Sequence, residues 1–335
     1  MTAPGLLVAL AAAASAGLLA AWVVAAAQAS RRPRVVCLMY HRAAQRSAYA
    51  RLRGEERVFT LPEESFDEQL GWLRARGHQF VSADDVAAFA RGERTLDDPS
   101  VLITIDDGCA SAHARMLPVL RRHGAPAVLF VTTDPAAVIF RAAGDENRRV
   151  TDEEIRVLAA AGVAIGSHAV SHRPLSAMSE SEIRHELVAS KRALEEVTGG
   201  AVRHFAVPAN WYDDRVLRIA REAGYDTVFC SRPDTVREGT GAFGIARINV
   251  EGHLDLAGFE RALSPRAIAQ RRLVLALRGL PKRVVGPRAW EAIRRDVLPR
   301  IGADRLSPSR MGTAVAIAIG GGLLAALGWL LSRGG

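Results

Sequence analysis

Several things are scarce in this chain. It has three cysteines among 335 residues (Cys37, Cys109 and Cys230), an odd number that cannot all pair internally and that excludes a disulfide scaffold. Aromatic residues make up 6%, and the stacking platforms and base-reading motifs of a nucleic-acid binder are missing. Lysine is nearly absent: Lys191 and Lys282 stand against 42 arginines. No Gly-x-Gly-x-x-Gly or P-loop pattern sits at a strand end, and no His-Glu-x-x-His is present. There is no internal repeat and no low-complexity linker. What remains is 49% hydrophobic and 24% charged, which excludes a disordered or collagen-like chain and allows a sizeable core.

The net charge of +8 is unevenly spread. Residues 261–310 hold 13 basic residues against Glu291, Asp296 and Asp304, a net of +10, so the rest of the chain sums to −2. Within that stretch Leu273, Val274, Leu277 and Leu280 alternate with Arg271, Arg272 and Arg278 at near-helical spacing. The pattern reads either as an amphipathic helix on anionic lipid or as a solvated basic face packed on its own domain. No nucleic-acid partner is expected.

Two uncharged runs frame the chain, 5–29 and 311–331. The second, about 21 residues or roughly 31 Å as a helix, is long enough to cross a bilayer. The first reads as a signal anchor, with a cleavable signal peptide as the alternative. No Lys or Arg precedes it, whereas Arg31, Arg32 and Arg34 follow it. Arg300, Arg305 and Arg310 precede the second run and only Arg333 follows it. The arginine asymmetry predicts two transmembrane helices in the plasma membrane, with the domain between them on the cytoplasmic face. A cleaved signal would place that domain on the outer face.

Between the runs, strand and helix signals alternate. Val35–Tyr40, Val101–Ile105, Ala127–Val131, Val163–Ile165, Phe205–Val207, Thr227–Cys230 and Ile245–Val250 read as buried strands. Helices are expected near Phe66–Leu73, over about 111–123 ending at Gly124, and after the capping boxes Thr151–Glu154 and Ser179–Glu182. Repeated β/α units predict a parallel sheet covered by helices, open or closed into a barrel. The predicted layout is a transmembrane helix over 5–29, a catalytic domain over 32–255, a basic membrane-surface segment over 256–310 and a transmembrane helix over 311–331.

In such folds chemistry collects at the C-terminal strand ends. Three groups lie there. Thr104-Ile-Asp-Asp-Gly108 places two carboxylates directly after a buried strand, where a metal ion would compensate them; a plain Asp-Gly turn is the alternative. His168-Ala-Val-Ser-His172 spaces two imidazoles four apart, a separation that lets one helical turn present both to one metal; a structural pair is the alternative. One carboxylate with two histidines makes a three-ligand site with open positions. Tyr40-His41-Arg42 ends the first strand on the same face, and His41 there suits a general acid or a strand cap.

Together these segments, over roughly 35–250, resemble the polysaccharide deacetylase family, the NodB-homology carbohydrate esterases. TIDDG (104–108) resembles its first motif, HAVSH (168–172) with the following Arg-Pro-Leu-Ser its second, and LMYHR (38–42) the opening strand of the subgroup acting on poly-N-acetylglucosamine-type polymers. The resemblance implies an α/β fold, a distorted (β/α) barrel with fewer than eight units. It implies Asp106 as catalytic base, His41 as general acid, and Asp107, His168 and His172 as ligands of a divalent metal, usually Zn2+. The third motif departs. Ala206 stands where the family has an Arg that orients the base, and Ala209 replaces a Tyr whose backbone N–H stabilises the oxyanion, leaving Ala209 that N–H alone. The late His motif is missing; Arg247-Ile248 resembles the strand that ends the subgroup lacking it, and Cys109 follows the Asp-Asp-Gly.

The implied activity is hydrolytic removal of an N-acetyl or other N-acyl group from an amino sugar. The expected partners are an N-acylated glycan or polyprenyl-linked sugar and membrane lipid. An impaired relative acting as a glycan-binding or scaffold protein is the alternative.

Overall fold

The computed structural model describes residues 34–137, 139 and 147–272. Within them Arg32–Leu263 is one compact unit, and 264–272 belongs to another. No helix among the described residues is long and apolar enough to cross a membrane. Both expected spans, and residues 273–310 of the basic segment, lie outside the described residues.

The unit opens with β1 (Arg34–Tyr40), whose residues after Arg34 are all buried, then short β2 (Arg42–Ala44) and α1 (Arg46–Tyr49). Helix α2 (Gly54–Phe59), β3 (Thr60–Pro62) and α3 (Glu63–Ala75) follow. Next come β4 (Gln79–Phe80), α4 (Ala83–Arg91) and β5 (Ser100–Ile105), a strand buried throughout. The helix expected over 111–123 forms as a wide turn at Ala112–Met116 running into α5 (Leu117–His123). Strand β6 (Ala127–Val131), α6 (Asp152–Ala160), β7 (Ala164–Ser167), α7 (Glu180–Thr198) and β8 (His204–Ala206) continue the alternation. The chain then runs through α8 (Asp214–Glu222), β9 (Thr227–Cys230), β10 (Val236–Arg237), β11 (Phe243–Ala246), β12 (Ile248–Asn249) and α9 (Leu256–Leu263).

The strands β1, β5, β6, β7, β8, β9 and β11 pair side by side in that order. All of these pairings are parallel. Parallel pairing needs crossover helices, and these cover the sheet and bury its β-branched and aromatic faces. Ala246 pairs with Cys230 on β9, whereas Leu38 and Met39 on β1 pair with Ile248 and Asn249. The segment 243–249 thus touches both ends of the strand order and closes it into a barrel of fewer than eight units. The core includes Leu102, Val128, Phe130, Ala206 and Phe229 from neighbouring strands, packed under Val86 and Phe89 of α4. Both expected capping boxes form: Thr151 and Ser179 each accept the N–H three residues on, and Glu154 and Glu182 reach back. The strand expected over 245–250 is interrupted at Arg247, whose N–H bonds Arg232 O instead of a neighbouring strand.

Candidate active site

The closed sheet brings the ends of β1, β5, β7, β8 and β12 around one cavity of about 760 Å3. Asp106, Asp107, His168, His172, His41 and Ala209 all line it, so the six residues given a catalytic or metal-binding role in the sequence reach one place.

Asp106 and Asp107 emerge directly from β5, where Asp106 N–H donates to Tyr40 O at 2.8 Å and locks the turn to β1. Both carboxylates are buried. Asp107 has φ 76° and Gly108 φ 79°. A Cβ on Gly108 would lie 2.9 Å from Val131 Cγ1 and 3.0 Å from Val131 Cα, so the tight passage excludes a side chain as well as the backbone favouring glycine. The five non-glycine residues with positive φ among the described residues are Asp107, Ala169, His172, Ala209 and Asn210. Each costs on the order of 1–3 kcal/mol, and all five sit in the segments that build the cavity.

His168 leaves β7 with its Nδ1–H donating to Ala206 O at 2.8 Å. That bond fixes the tautomer and presents the Nε2 lone pair to the cavity. His168 Nε2 lies 3.8 Å from Asp107 Oδ1, and His172 Nε2 lies 3.5 Å from the same oxygen. The donor atoms of Asp107, His168 and His172 fall within 4.8 Å of one another. Burial pushes the His168 pKa down to about 4, so the ring is neutral and free to ligate. One carboxylate and two imidazoles at this spacing fit a divalent cation with open positions. The expected helical turn is not what joins the two histidines. Ala169 (φ 64°) and His172 (φ 59°) lie in left-handed backbone, and no helix spans the segment. The loop is held from outside. Buried Glu186 of α7 accepts the N–H groups of Val170 at 2.8 Å and Ser171 at 2.9 Å, together with the Ser171 hydroxyl. Thr133 and Asp134 N–H donate to Ala169 and Val170 O.

The environment of Asp106 is set by a residue the motifs do not include. Arg247, fully buried between β11 and β12, donates from Nη1 to Asp106 Oδ1 at 2.6 Å and from Nη2 to Asp106 Oδ2 at 2.8 Å. Nη1 also reaches Thr104 Oγ1 at 3.0 Å, and that hydroxyl donates to Leu38 O at 2.9 Å. This bidentate fork does what Ala206 cannot, and Ala206 contributes its carbonyl to His168 instead. Burial alone would raise the Asp106 pKa. The Arg247 charge, then His168, then the Arg247 hydrogen bonds outweigh it and bring the group to about 2.

His41 stands in the cavity wall, its ring centroid 4.7 Å from that of Phe59. Its Nδ1 is buried without a partner. Burial lowers its pKa, against the pull of Asp107 and Asp106. Ala209 lies at φ 50° in the turn Pro208–Asn210, and Asn210 Oδ1 accepts Ser231 N–H at 2.9 Å. Cys109 is buried, and burial pushes its thiol pKa up, which disfavours the thiolate a metal would need. Cys37 and Cys230 are buried free thiols as well.

A closed parallel β/α sheet, with a carboxylate and two imidazoles gathered beside an Arg-clamped aspartate, defines an α/β protein with a candidate three-ligand metal site. Comparison with known proteins agrees on the fold. Residues 93–228 match the family described as polysaccharide deacetylase. Two solved structures share the fold. The Streptococcus pyogenes deacetylase PplD has a TM-score of 0.59 at 19% identity, covering 70% of this chain and 100% of that one. IcaB from Ammonifex degensii has a TM-score of 0.57 at 23% identity, covering 72% and 97%. A chitooligosaccharide deacetylase of Sinorhizobium fredii is 30% identical over 135 residues, 40% of this chain and 57% of its own length.

Proposed function

We propose that the chain is a metal-dependent N-deacetylase, a hydrolase that removes an acetyl or other acyl group from the nitrogen of an amino sugar in a glycan or lipid-linked saccharide. The observation that carries this reading is the convergence of Asp107, His168 and His172 with Arg247-clamped Asp106 in one cavity. The named relatives act on chitooligosaccharides or are deacetylases, which supports the substrate class.

A divalent ion held by Asp107, His168 and His172, zinc by the family resemblance, would supply a Lewis acid that polarises an acyl carbonyl and acidifies water. The chain's own residues do the rest. Each Asp106 oxygen keeps a second lone pair beside its bond to Arg247, so the carboxylate takes the proton of the attacking water while its position stays fixed. The Ala209 N–H is the group that the family resemblance assigns to the developing oxyanion. His41 delivers a proton to the leaving nitrogen. Burial favours neutral His41, so the proton it delivers is the one Asp106 takes from the water, passed on to the nitrogen as Asp106 returns to its ionised form. A C–O bond forms, the C–N bond breaks, and acetate and a free amine leave. An inactive glycan-binding relative is the second reading, motivated by Ala206 and Ala209. Arg247 supports the enzyme, because it restores the contact that Ala206 lacks.

Placement at the plasma membrane, with two anchors and the domain on the cytoplasmic face, is part of the proposal. It rests on the arginine asymmetry around 5–29 and 311–331. A reporter inserted at 135–150 should read cytoplasm and one fused after Gly335 should read outside; the reverse pattern contradicts the orientation. For the activity, purified protein should release acetate from a chito-oligosaccharide, lose that on chelation and regain it with zinc. Zinc-independent release would overturn the metal role.

A further inference from the structure

A buried cation in the cavity takes no part in the chemistry above. Arg42 follows His41 on β2, pinned by the pairing of β2 with β3 at Arg42–Thr60. It is 7% exposed and lines the cavity beside the metal-ligand residues. Its Nε is buried with no hydrogen-bond partner. Among the described residues no carboxylate pairs with it, although its charge bears on both His41 and Cys109. Arg247 differs: its Nε is unpartnered as well, but both of its terminal nitrogens bond the Asp106 carboxylate.

A buried cation without a counter-charge is costly, and proteins resolve it by pairing. Two other acids line the same cavity, Glu55 and Glu56 of α2. Glu55 is exposed and Glu56 half-buried, so water screens them and neither answers the desolvation of Arg42. Occupancy of the three-ligand site by a divalent cation would raise the positive charge around Arg42 further. Both conditions call for an anion.

We infer that Arg42 is the anchor of an anion subsite inside the cavity, and that the amino-sugar substrate carries an oxyanion, a carboxylate or a phosphate, close to the scissile amide. A guanidinium fork matches either group. The carboxylate form corresponds to an acidic sugar ether and the phosphate form to a sugar on a phosphate carrier. The substrate part of the inference rests on the deacetylase reading; the anion subsite does not.

The test uses the full-length protein, wild type and Arg42→Met, with Arg42→Lys as the charge-retaining variant. Acetate release is compared on a neutral chito-oligosaccharide, on N-acetylglucosamine 1-phosphate and on a disaccharide containing N-acetylmuramic acid. The readout is the ratio of kcat/KM on an anionic substrate to that on the neutral one, in which any loss of folded protein cancels. Wild type should favour at least one anionic substrate about tenfold, the factor that about 1.4 kcal/mol makes. R42M should bring the ratio to about one, and R42K should keep part of it. The substrate that shows the preference identifies the carrier of the charge. No preference in wild type, or a ratio unchanged in R42M, overturns the inference. A calorimetric arm stands apart from turnover: inorganic phosphate and acetate are titrated into the zinc-loaded proteins. With no acetate released from any substrate, anion binding to wild type that R42M loses supports the subsite while the deacetylase reading fails. Equal binding, or none to either, overturns the subsite.

Discussion

Arg247→Met removes the one cation that balances Asp106 while keeping much of the volume of the side chain. Asp106 and Arg247 are both buried and bonded twice, at 2.6 and 2.8 Å. Removing one partner of such a pair leaves an uncompensated charge and costs about 3–5 kcal/mol. For a domain of this size, 1 kcal/mol moves Tm by roughly 2–4 °C, so a fall of roughly 6–20 °C is expected near pH 8. The pH dependence separates this from loss of packing. In the wild type the folded pKa of Asp106 is depressed from the ordinary 3.8 to about 2, so its stabilisation is present above 3.8 and is lost as pH falls toward 2. In R247M burial acts with its main opponent gone, and the Asp106 pKa rises. The variant then recovers stability by protonating Asp106 as pH falls. The Tm difference between the two proteins should therefore be largest at pH 8 and shrink steadily toward pH 4. Calorimetric scans of chelated protein across that range measure it, without interference from bound metal. Arg247→Lys should recover part of the loss, because an ammonium keeps the charge but cannot form the fork. A Tm difference constant from pH 4 to 8 would refute the claim that charge compensation is what Arg247 supplies.

Two further substitutions probe the frame of the site. Glu186→Ala removes the acceptor of three hydrogen bonds from Val170 and Ser171 and frees the loop that sets His172. Zinc affinity, measured by competition with a chelating dye, should weaken roughly 10–100-fold, as removal of outer supports does elsewhere; unchanged affinity would mean the loop holds itself. Gly108→Ala must fit a methyl 2.9 Å from Val131 Cγ1 at φ 79°, and should lower stability by roughly 1–3 kcal/mol in urea unfolding; a neutral substitution would show that the turn can shift.

Local signals in the sequence carried far. The strands at 35–40, 101–105 and 127–131 are short apolar runs of β-branched residues, and each forms within a residue of where the pattern places it. The candidate metal ligands were legible because each group is contiguous and follows a strand. What was hidden depends on contacts between distant segments. Arg247 meets Asp106 across 141 positions, and the resemblance at Arg247-Ile248 assigns that arginine no partner. A signal did exist: an arginine inside the apolar stretch 243–250 has to be buried, and a buried cation needs a partner. Glu186 left a similar trace, sharing a helix face with Ile183, Leu187, Ser190 and Leu194, where an acid is out of place unless bonded. The geometry of His168 and His172 was misread because a spacing of four suggests a helix, whereas Glu186 and the loop after β6 bend the segment into left-handed turns. Ala206 shows the complementary limit. Its side chain marks a missing arginine, yet its carbonyl orients His168, a role that residue identity does not encode.

In the proposed mechanism Asp106 does the proton chemistry beside a metal that Asp107, His168 and His172 hold. Asp106→Asn, purified with zinc and assayed for metal content and acetate release in the same sample, tests it most directly. About one zinc per chain is expected in both the variant and the wild type, with acetate release from a chito-oligosaccharide abolished in the variant. Release at the wild-type rate would contradict it.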